Sequence, residues 1–191
     1  IGPGLGVLTK ELAKRAKKVI ACEKDPKLCQ ILREMLEHWD IGNVEIIEED
    51  ILKAQSLIRQ LADKIKNYKI IANLPYYIVS PVIRKFLEAK NPPKEMVLMV
   101  QKEVAQRICS KPPKMNLLAV SVQFYAKPEI ISYVKKSCFW PQPKVDSAIL
   151  RIAPLISSDK DKGLIDADLF FKIVKAGFSQ PRKQLVNNFR N

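Results

Sequence analysis

Short apolar runs alternate with amphipathic helical patterns through the first hundred residues, and this alternation constrains the fold more than any other feature of the chain. Residues 18–23 (KVIACE), 44–47 (VEII), 70–72 (IIA) and 96–100 (MVLMV) each read as a strand. Helical patterns run over residues 7–16, 26–39, 54–66 and 80–89. Pro26 suits a first helical turn, and Ser80-Pro81 reads as an N-cap followed by the first helical position. In the second helix Leu28, Ile31, Leu32, Met35 and Leu36 fall on one face and are expected in the core, with His38 at the surface. Strand and helix taken in turn predict an α/β fold with a doubly wound, mostly parallel sheet. Ligands of such sheets sit beyond the carboxyl ends of the strands, so the residues that end each strand are the candidates for function.

A chain of 191 residues, 47% hydrophobic, can bury one substantial core and a small accessory unit. Its formal charge of +13 is uneven: residues 1–100 carry 17 basic and 13 acidic side chains, and residues 101–191 carry 16 and 7. A polyanionic partner met mainly by the second half accounts for this excess; an ordinary basic protein is the plainer alternative. Cys22, Cys29, Cys109 and Cys138 form no C-x-x-C pair and there is one histidine, so no metal is expected and the thiols read as reduced and cytosol-like. No apolar run is long enough to cross a membrane as a helix, and no membrane partner is expected. Ile1 opens directly onto a glycine loop with no strand before it. The sequence therefore reads as starting inside a domain, which leaves a targeting segment and an organellar location open beside a cytoplasmic one.

Glycines at alternate positions let the backbone approach a ligand closely, and a following helix offers unpaired N–H groups. Residues 1–6 (IGPGLG) thus read as a nucleotide loop, with Gly2 and Gly4 as contacts. Val7 stands where the dinucleotide fingerprint G-x-G-x-x-G wants its last glycine, which weakens a nicotinamide reading; a plain glycine turn is the other alternative. Glu23 ends its strand 17 positions beyond Gly6, where a carboxylate can accept both ribose hydroxyls of an adenosine. Lys24 joins it in the cofactor set, and a solvated strand-end charge is the bland alternative. The strand over 44–47 runs into Glu48-Glu49-Asp50. There Asp50 can accept from an adenine amino group and the Ile51 amide can meet a ring nitrogen, unless the cluster is an ordinary solvated turn.

The strand around Ile70-Ile71-Ala72 ends in Asn73-Leu74-Pro75-Tyr76. Pro75 forbids further ladder pairing where an amide and two aromatic rings are delivered. Taken alone, this tetrapeptide also fits a simple turn between a strand and a helix.

Together the glycine loop, Glu23, Asp50 and N-L-P-Y resemble the class I S-adenosyl-L-methionine-dependent methyltransferases, whose fold is Rossmann-like. N-L-P-Y is similar to the motif of the adenine-N6 dimethylating rRNA enzymes, a relative of the D/N/S-P-P-Y/F motif of amino-methylases. Residues 99–108 (MVQKEVAQRI), 139–147 (FWPQPKVDS) and 177–183 (GFSQPRK) resemble the small-subunit rRNA adenine dimethyltransferases, the KsgA family, and the likeness spans essentially every residue. It implies S-adenosyl-L-methionine as cofactor, held by Gly2, Gly4, Glu23, Lys24, Asp50, Ile51 and Asn73. It implies dimethylation of adenosine N6 groups in the rRNA of an immature small ribosomal subunit, by a monomer.

The chemistry suits those residue types. An adenine amino group is a poor nucleophile because its lone pair is delocalised into the ring. If the Asn73 side-chain oxygen and the Leu74 carbonyl accept its N–H bonds, they favour a pyramidal nitrogen whose lone pair points at the methyl sulfonium. Pro75 stiffens the turn, and Tyr76 offers a face on which an extruded base stacks. By the resemblance, Phe139 is the second wall of that base sandwich. The plainer alternative makes Phe139 or Trp140 a core staple.

In the second half, residues 101–109, 116–126 and 168–178 read as helices, the middle one mostly buried; 129–135 reads as a strand and 147–154 as the antiparallel returning strand. Residues 111–114 (KPPK) stand where the family has a glycine-containing turn. The polar run over 156–163 is expected as a linker, dividing a catalytic domain over 1–155 from the start of a small helical RNA-binding domain over 164–191. The resemblance gives Lys102, Arg107, Lys144, Arg182, Lys183 and Arg190 the RNA phosphates, with solvated helix faces as the alternative for the first two. It also implies that the sequence is truncated at both ends, lacking most of a first strand and an upstream segment that closes over the methionine end of the cofactor. Weak cofactor binding by this length of chain is then expected. Alternatives to the rRNA dimethylase are a noncatalytic RNA-binding assembly factor on the same fold, a DNA adenine-N6 methylase and, more distantly, a nicotinamide dehydrogenase.

Overall fold

The computed structural model describes residues 1–63, 65, 67–155, 166–180 and 184–189. They form two compact units, Ile1–Val100 and Gln101–Asn191. The first contains α1 (Val7–Ala13), β1 (Val19–Glu23), α2 (Pro26–His38), β2 (Val44–Glu48), α3 (Gln55–Asp63), β3 (Lys69–Asn73), a 3-10 turn (Tyr76–Ile78), α4 (Val79–Leu87) and β4 (Glu95–Gln101), whose last residue falls at the boundary. The alternation of strand and helix is the one the sequence predicts, with α1 ending three residues, α2 one and α4 two residues before its pattern does, α3 starting one residue later and α4 one residue sooner.

β1 pairs with β2 and β3 with β4, both parallel. The expected parallel sheet is thus present in this unit as two ladders, with Ile1 and Gly2 between them. The Gly2 N–H donates to the Cys22 carbonyl of β1 at 2.9 Å, and the Ile1 amino group donates to the Ile71 carbonyl of β3 at 3.4 Å.

Asp25 caps α2 by accepting from the Lys27 N–H at 2.9 Å, with Pro26 opening the helix where a missing N–H costs nothing. The buried line of α2 is Cys29, Leu32 and Leu36, whereas Ile31, predicted for the core, is 38% exposed. The face is rotated because Cys29 behaves as a small hydrophobe and turns inward, its Sγ 3.7 Å from the Glu23 carbonyl. Leu32 and Leu36 pack with Ala21 of β1, and Trp39, Ile41, Val44 and Ile46 close around them. Ser80 is not an N-cap. The chain enters α4 through the 3-10 turn, closed by the Ile78 N–H on the Pro75 carbonyl at 3.1 Å, so the helix starts at Val79 and both Ser80 and Pro81 lie in its first turn. Proline is tolerated there because the first four helical N–H groups lack intrahelical partners.

The second unit contains α5 (Lys102–Ile108), α6 (Leu117–Tyr125), β5 (Ala126–Val134), a 3-10 turn (Lys136–Cys138), β6 (Ser147–Pro154), α7 (Ala167–Ser179) and α8 (Leu185–Asn188). β5 and β6 pair antiparallel from Ala126–Pro154 to Val134–Ser147, so β6 is the returning strand expected from the sequence. β5 begins three residues ahead of its predicted start because the ladder runs on through Pro128, and a register shift between Ile130 and Ser132 leaves Ile131 53% exposed. α6 is capped by Asn116, which accepts from the Ala119 N–H at 3.1 Å; only Ala119 and Val122 of it are fully buried, fewer than its apolar composition suggests. It is half-buried partly through aromatic contacts with α7: Phe124 stacks on Phe170 at 4.3 Å between centroids and Tyr125 on Phe171 at 5.7 Å. Asp166 caps α7 by accepting from the Asp168 and Leu169 N–H groups. The expected linker over 156–163 and the candidate RNA contacts Arg182, Lys183 and Arg190 lie outside the described residues. Among the described residues no helix is long and apolar enough to cross a membrane.

Candidate active site

The glycine loop is tied to the end of β1 through one carboxylate. Glu23 is 8% exposed; its Oε1 accepts from the Lys24 N–H at 2.8 Å and the Asp25 N–H at 3.2 Å, while its Oε2 takes a long bond from the Gly4 N–H at 3.4 Å. One oxygen is therefore committed to the turn and the other retains acceptor capacity. Gly2 and Gly4 have φ of +61° and +54°, which a side chain would strain, and a Cβ on either would enter open space. Backbone is thus presented bare to open space. Gly6 differs: a Cβ there would lie 2.5 Å from Leu32 Cδ1, so this glycine serves the close passage of the loop over α2.

β3 delivers the tetrapeptide. Asn73 pairs with Met99 as the last residue of the ladder, and its side chain is exposed. Leu74, 2% exposed, anchors the turn in the core; Pro75 adopts φ −54° and ψ 133°, an extended proline conformation that leads into the 3-10 turn, where Tyr76 is half-buried. Tyr77 is 73% exposed, and the Lys24 Nζ lies 3.5 Å from its hydroxyl. The Lys24–Tyr77 contact joins the β1 end to the β3 turn. Tyr77 is the second of the two rings that the sequence delivers after Pro75, and its contact with Lys24 has no signal in the sequence beyond the doubled tyrosine of N-L-P-Y-Y.

Asp50 is half-buried after β2. Its Oδ1 accepts from the Leu52 N–H at 2.9 Å, an Asx-type turn, and Ile51 is buried beside it. Among the described residues no hydrogen bond engages the Ile51 amide. Lys85 of α4 donates to the Leu52 carbonyl at 2.9 Å and fixes this loop from the other side. The neighbouring thiol is inert: burial, above all, pushes Cys22 up to about 11, and its Sγ lies 3.3 Å from the Glu49 carbonyl. Among the described residues no group of His, Cys, Asp and Glu is placed to hold a metal ion.

The remaining candidates lie in the second unit. Phe139 is half-buried, and Trp140 is 97% exposed, so Trp140 is not a core staple. Lys102 is half-buried at the start of α5, with its Nζ 5.4 Å from the Tyr133 ring centroid; Arg107 and Lys144 are exposed.

A model of the family described as ribosomal RNA adenine dimethylase matches residues 1–191. The chain belongs to that family. It is 42% identical over its whole length to a ribosomal RNA small subunit methyltransferase A of Geobacillus thermodenitrificans, of which it covers 65%. A crystal structure of a dimethyladenosine transferase from Plasmodium falciparum matches all of this dimethylase-family chain with a TM-score of 0.82 and 31% identity, 66% of that chain being covered. The 23S rRNA methyltransferase ErmE matches 98% of it with a TM-score of 0.77 and 27% identity, over 72% of its own length. The chain spans 62 to 65% of the length of the first curated relatives it matches.

Proposed function

We propose that the protein carries out S-adenosyl-L-methionine-dependent dimethylation of adenosine N6 groups in small-subunit rRNA, acting as a monomer on an immature subunit in the cytoplasm. When bound, the cofactor would supply an electrophilic methyl carbon on a sulfonium, whose sulfur would keep the S–C electron pair while the adenine nitrogen gained the N–C bond and lost its proton to solvent. The observation that carries this reading is the gathering of three elements at one end of the first unit. Glu23 reaches Gly4 while the adjacent Lys24 reaches Tyr77 beside Asn73-Leu74-Pro75-Tyr76.

The donor set fits the cofactor. Glu23 keeps an oxygen for ribose hydroxyls, bare backbone at Gly2 and Gly4 allows close approach, and the Asp50 carboxylate with the Ile51 amide matches an adenine edge. Asn73 and the Leu74 carbonyl accept from the target amino group, holding its lone pair toward the methyl carbon, and a target base stacks on Tyr76. Phe139 as a second stacking wall and Lys102, Arg107, Lys144, Arg182, Lys183 and Arg190 as phosphate contacts rest on the family resemblance. So does the division into a catalytic domain over 1–155 and the beginning of a helical RNA-binding domain over 164–191. The small-subunit preference is supported by the names of the curated relatives, because ErmE, a 23S rRNA methyltransferase, shares the fold.

The test is transfer of labelled methyl groups from S-adenosyl-L-methionine to immature small subunits, to naked DNA and to protein. Label is expected in the rRNA alone. Label in DNA would favour a DNA adenine methylase, and restored subunit assembly by an Asn73→Ala variant without any label would favour an assembly factor.

A further inference from the structure

The loop between β5 and β6 carries a feature that adenine methylation does not use. Trp140 has 97% of its surface exposed, although tryptophan is on average a highly buried residue. It sits between Phe139 and Pro141, with Pro143 two residues on, so the segment that presents it has few conformations to lose. The ends of this loop are pinned by one residue. Asp146 Oδ1 accepts from the Lys136 N–H at 3.0 Å, and the Asp146 carbonyl accepts from the Lys102 N–H at 3.0 Å.

These two hydrogen bonds hold the backbone at Lys136 and Lys102 beside a cleft of about 490 Å³, lined by Lys102, Lys136 and Lys144 together with Gln106, Glu103 and Asp146. Asp146 keeps its charge while accepting from the Lys136 N–H, so two carboxylates, Asp146 and Glu103, stand against three ammonium groups and the cleft carries a net positive charge. Among the described residues no ion pair engages any of the three lysines. Lys102 is also held near the exposed ring of Tyr133, so aromatic faces and ammonium groups interleave here.

Interleaved aromatic faces and cations are the composition that grips unpaired nucleic acid: rings stack on bases of any sequence, and ammonium groups follow the phosphates. A duplex offers no free base face to Trp140, and an acidic peptide has no use for one. We infer that this loop and the cleft its lysines line form a further RNA-binding surface, in which Trp140 stacks on an unpaired base while Lys136 and Lys144 hold phosphates of the same strand. The choice of RNA rests on the proposed function; the site itself is a substrate-positioning surface that touches no reacting atom.

The experiment is fluorescence anisotropy of a labelled unpaired oligoribonucleotide and of a duplex of the same composition, at several salt concentrations and without methyl donor. Trp140→Ala is expected to weaken binding of the unpaired strand about tenfold, on the scale of one lost stacking contact. Its salt dependence should not change, Trp140→Phe should recover most of the affinity, and duplex binding should be unaffected. Lys144→Gln and Lys136→Gln are each expected to lower the salt slope by about one. Unchanged affinity of Trp140→Ala for the unpaired strand, or equal loss on the duplex, overturns the inference. Normal transfer by Asn73→Ala beside the Trp140 effect would sink the proposed chemistry and leave this site standing.

Discussion

The site at the end of β1 and β3 and the cleft under the loop over 136–146 are held in place by different means. In the first, nearly every group of interest is backbone or is tied to backbone: bare amides at Gly2 and Gly4, a carboxylate at Glu23 shared among three N–H groups, a turn locked by Pro75 and anchored by Leu74. In the second, one aspartate fixes the ends, and the functional groups are long flexible lysines and a ring standing in water. A bond-making step tolerates little displacement of its reacting atoms, whereas holding a strand of variable sequence needs adaptable contacts. The two constructions match these two demands.

The largest effect that can break this contrast is at Asn73. Because its side chain is exposed at the strand end, Asn73→Ala should leave the fold intact and lower single-turnover methyl transfer by about 100- to 1,000-fold, the scale of losing one positioned polar contact to a developing charge. A loss under tenfold would place Asn73 among the adaptable contacts instead.

Next is the glycine loop. Gly6→Ala puts a Cβ 2.5 Å from the fully buried Leu32 at φ +83°, and should cost about 2–3 kcal/mol in chemical denaturation, from left-handed strain and overpacking together. Gly4→Ala meets no atom within 4 Å and should cost about 1 kcal/mol of stability while abolishing close ligand approach, which titration with S-adenosylhomocysteine would read. Similar stability losses at both positions would erase the distinction between packing and binding glycines.

Asp146→Ala tests the clamp. It removes the acceptor of the Lys136 N–H but keeps the carbonyl that takes the Lys102 N–H, so hydrogen exchange should quicken at Lys136 and not at Lys102, with about 1 kcal/mol of stability lost. The smallest expected effect concerns the thiols. At pH 8 a thiol reagent should label exposed Cys138 and spare buried Cys22. Cys22 is raised from 9.0 to about 11, so the native state keeps a proton that the unfolded chain has lost. Its contribution to stability is complete below about pH 9 and is lost as the pH rises through 11, a fall that denaturation midpoints at pH 8 and 10.5 would show and Cys22→Ser would diminish.

Much of this was legible in the chain. The parallel ladders, the returning antiparallel β6 and the strand-end positions of Glu23 and Asn73 follow from periodicity and from where proline and glycine interrupt it. The α2 face was misjudged because Cys29 was not counted as apolar, and the α4 start because a 3-10 turn takes over the capping role given to Ser80. The Lys24–Tyr77 contact escaped attention because its partners are 53 positions apart, and such pairing has no local signature. The clamp at Asp146 was invisible for the same reason, since it joins the two ends of a loop to the first residue of a helix more than 40 positions earlier.

The central claim, that Asn73 and the site around it direct methyl groups onto adenine N6, is met most directly by digesting rRNA from immature small subunits after reaction and identifying the modified nucleosides by mass spectrometry. N6,N6-dimethyladenosine is the product this account predicts with wild-type protein, with about 1% of it or less formed by Asn73→Ala in the same early, rate-limited interval. Methyl groups found only on another base or on ribose, or equal dimethyladenosine from both proteins, would contradict it.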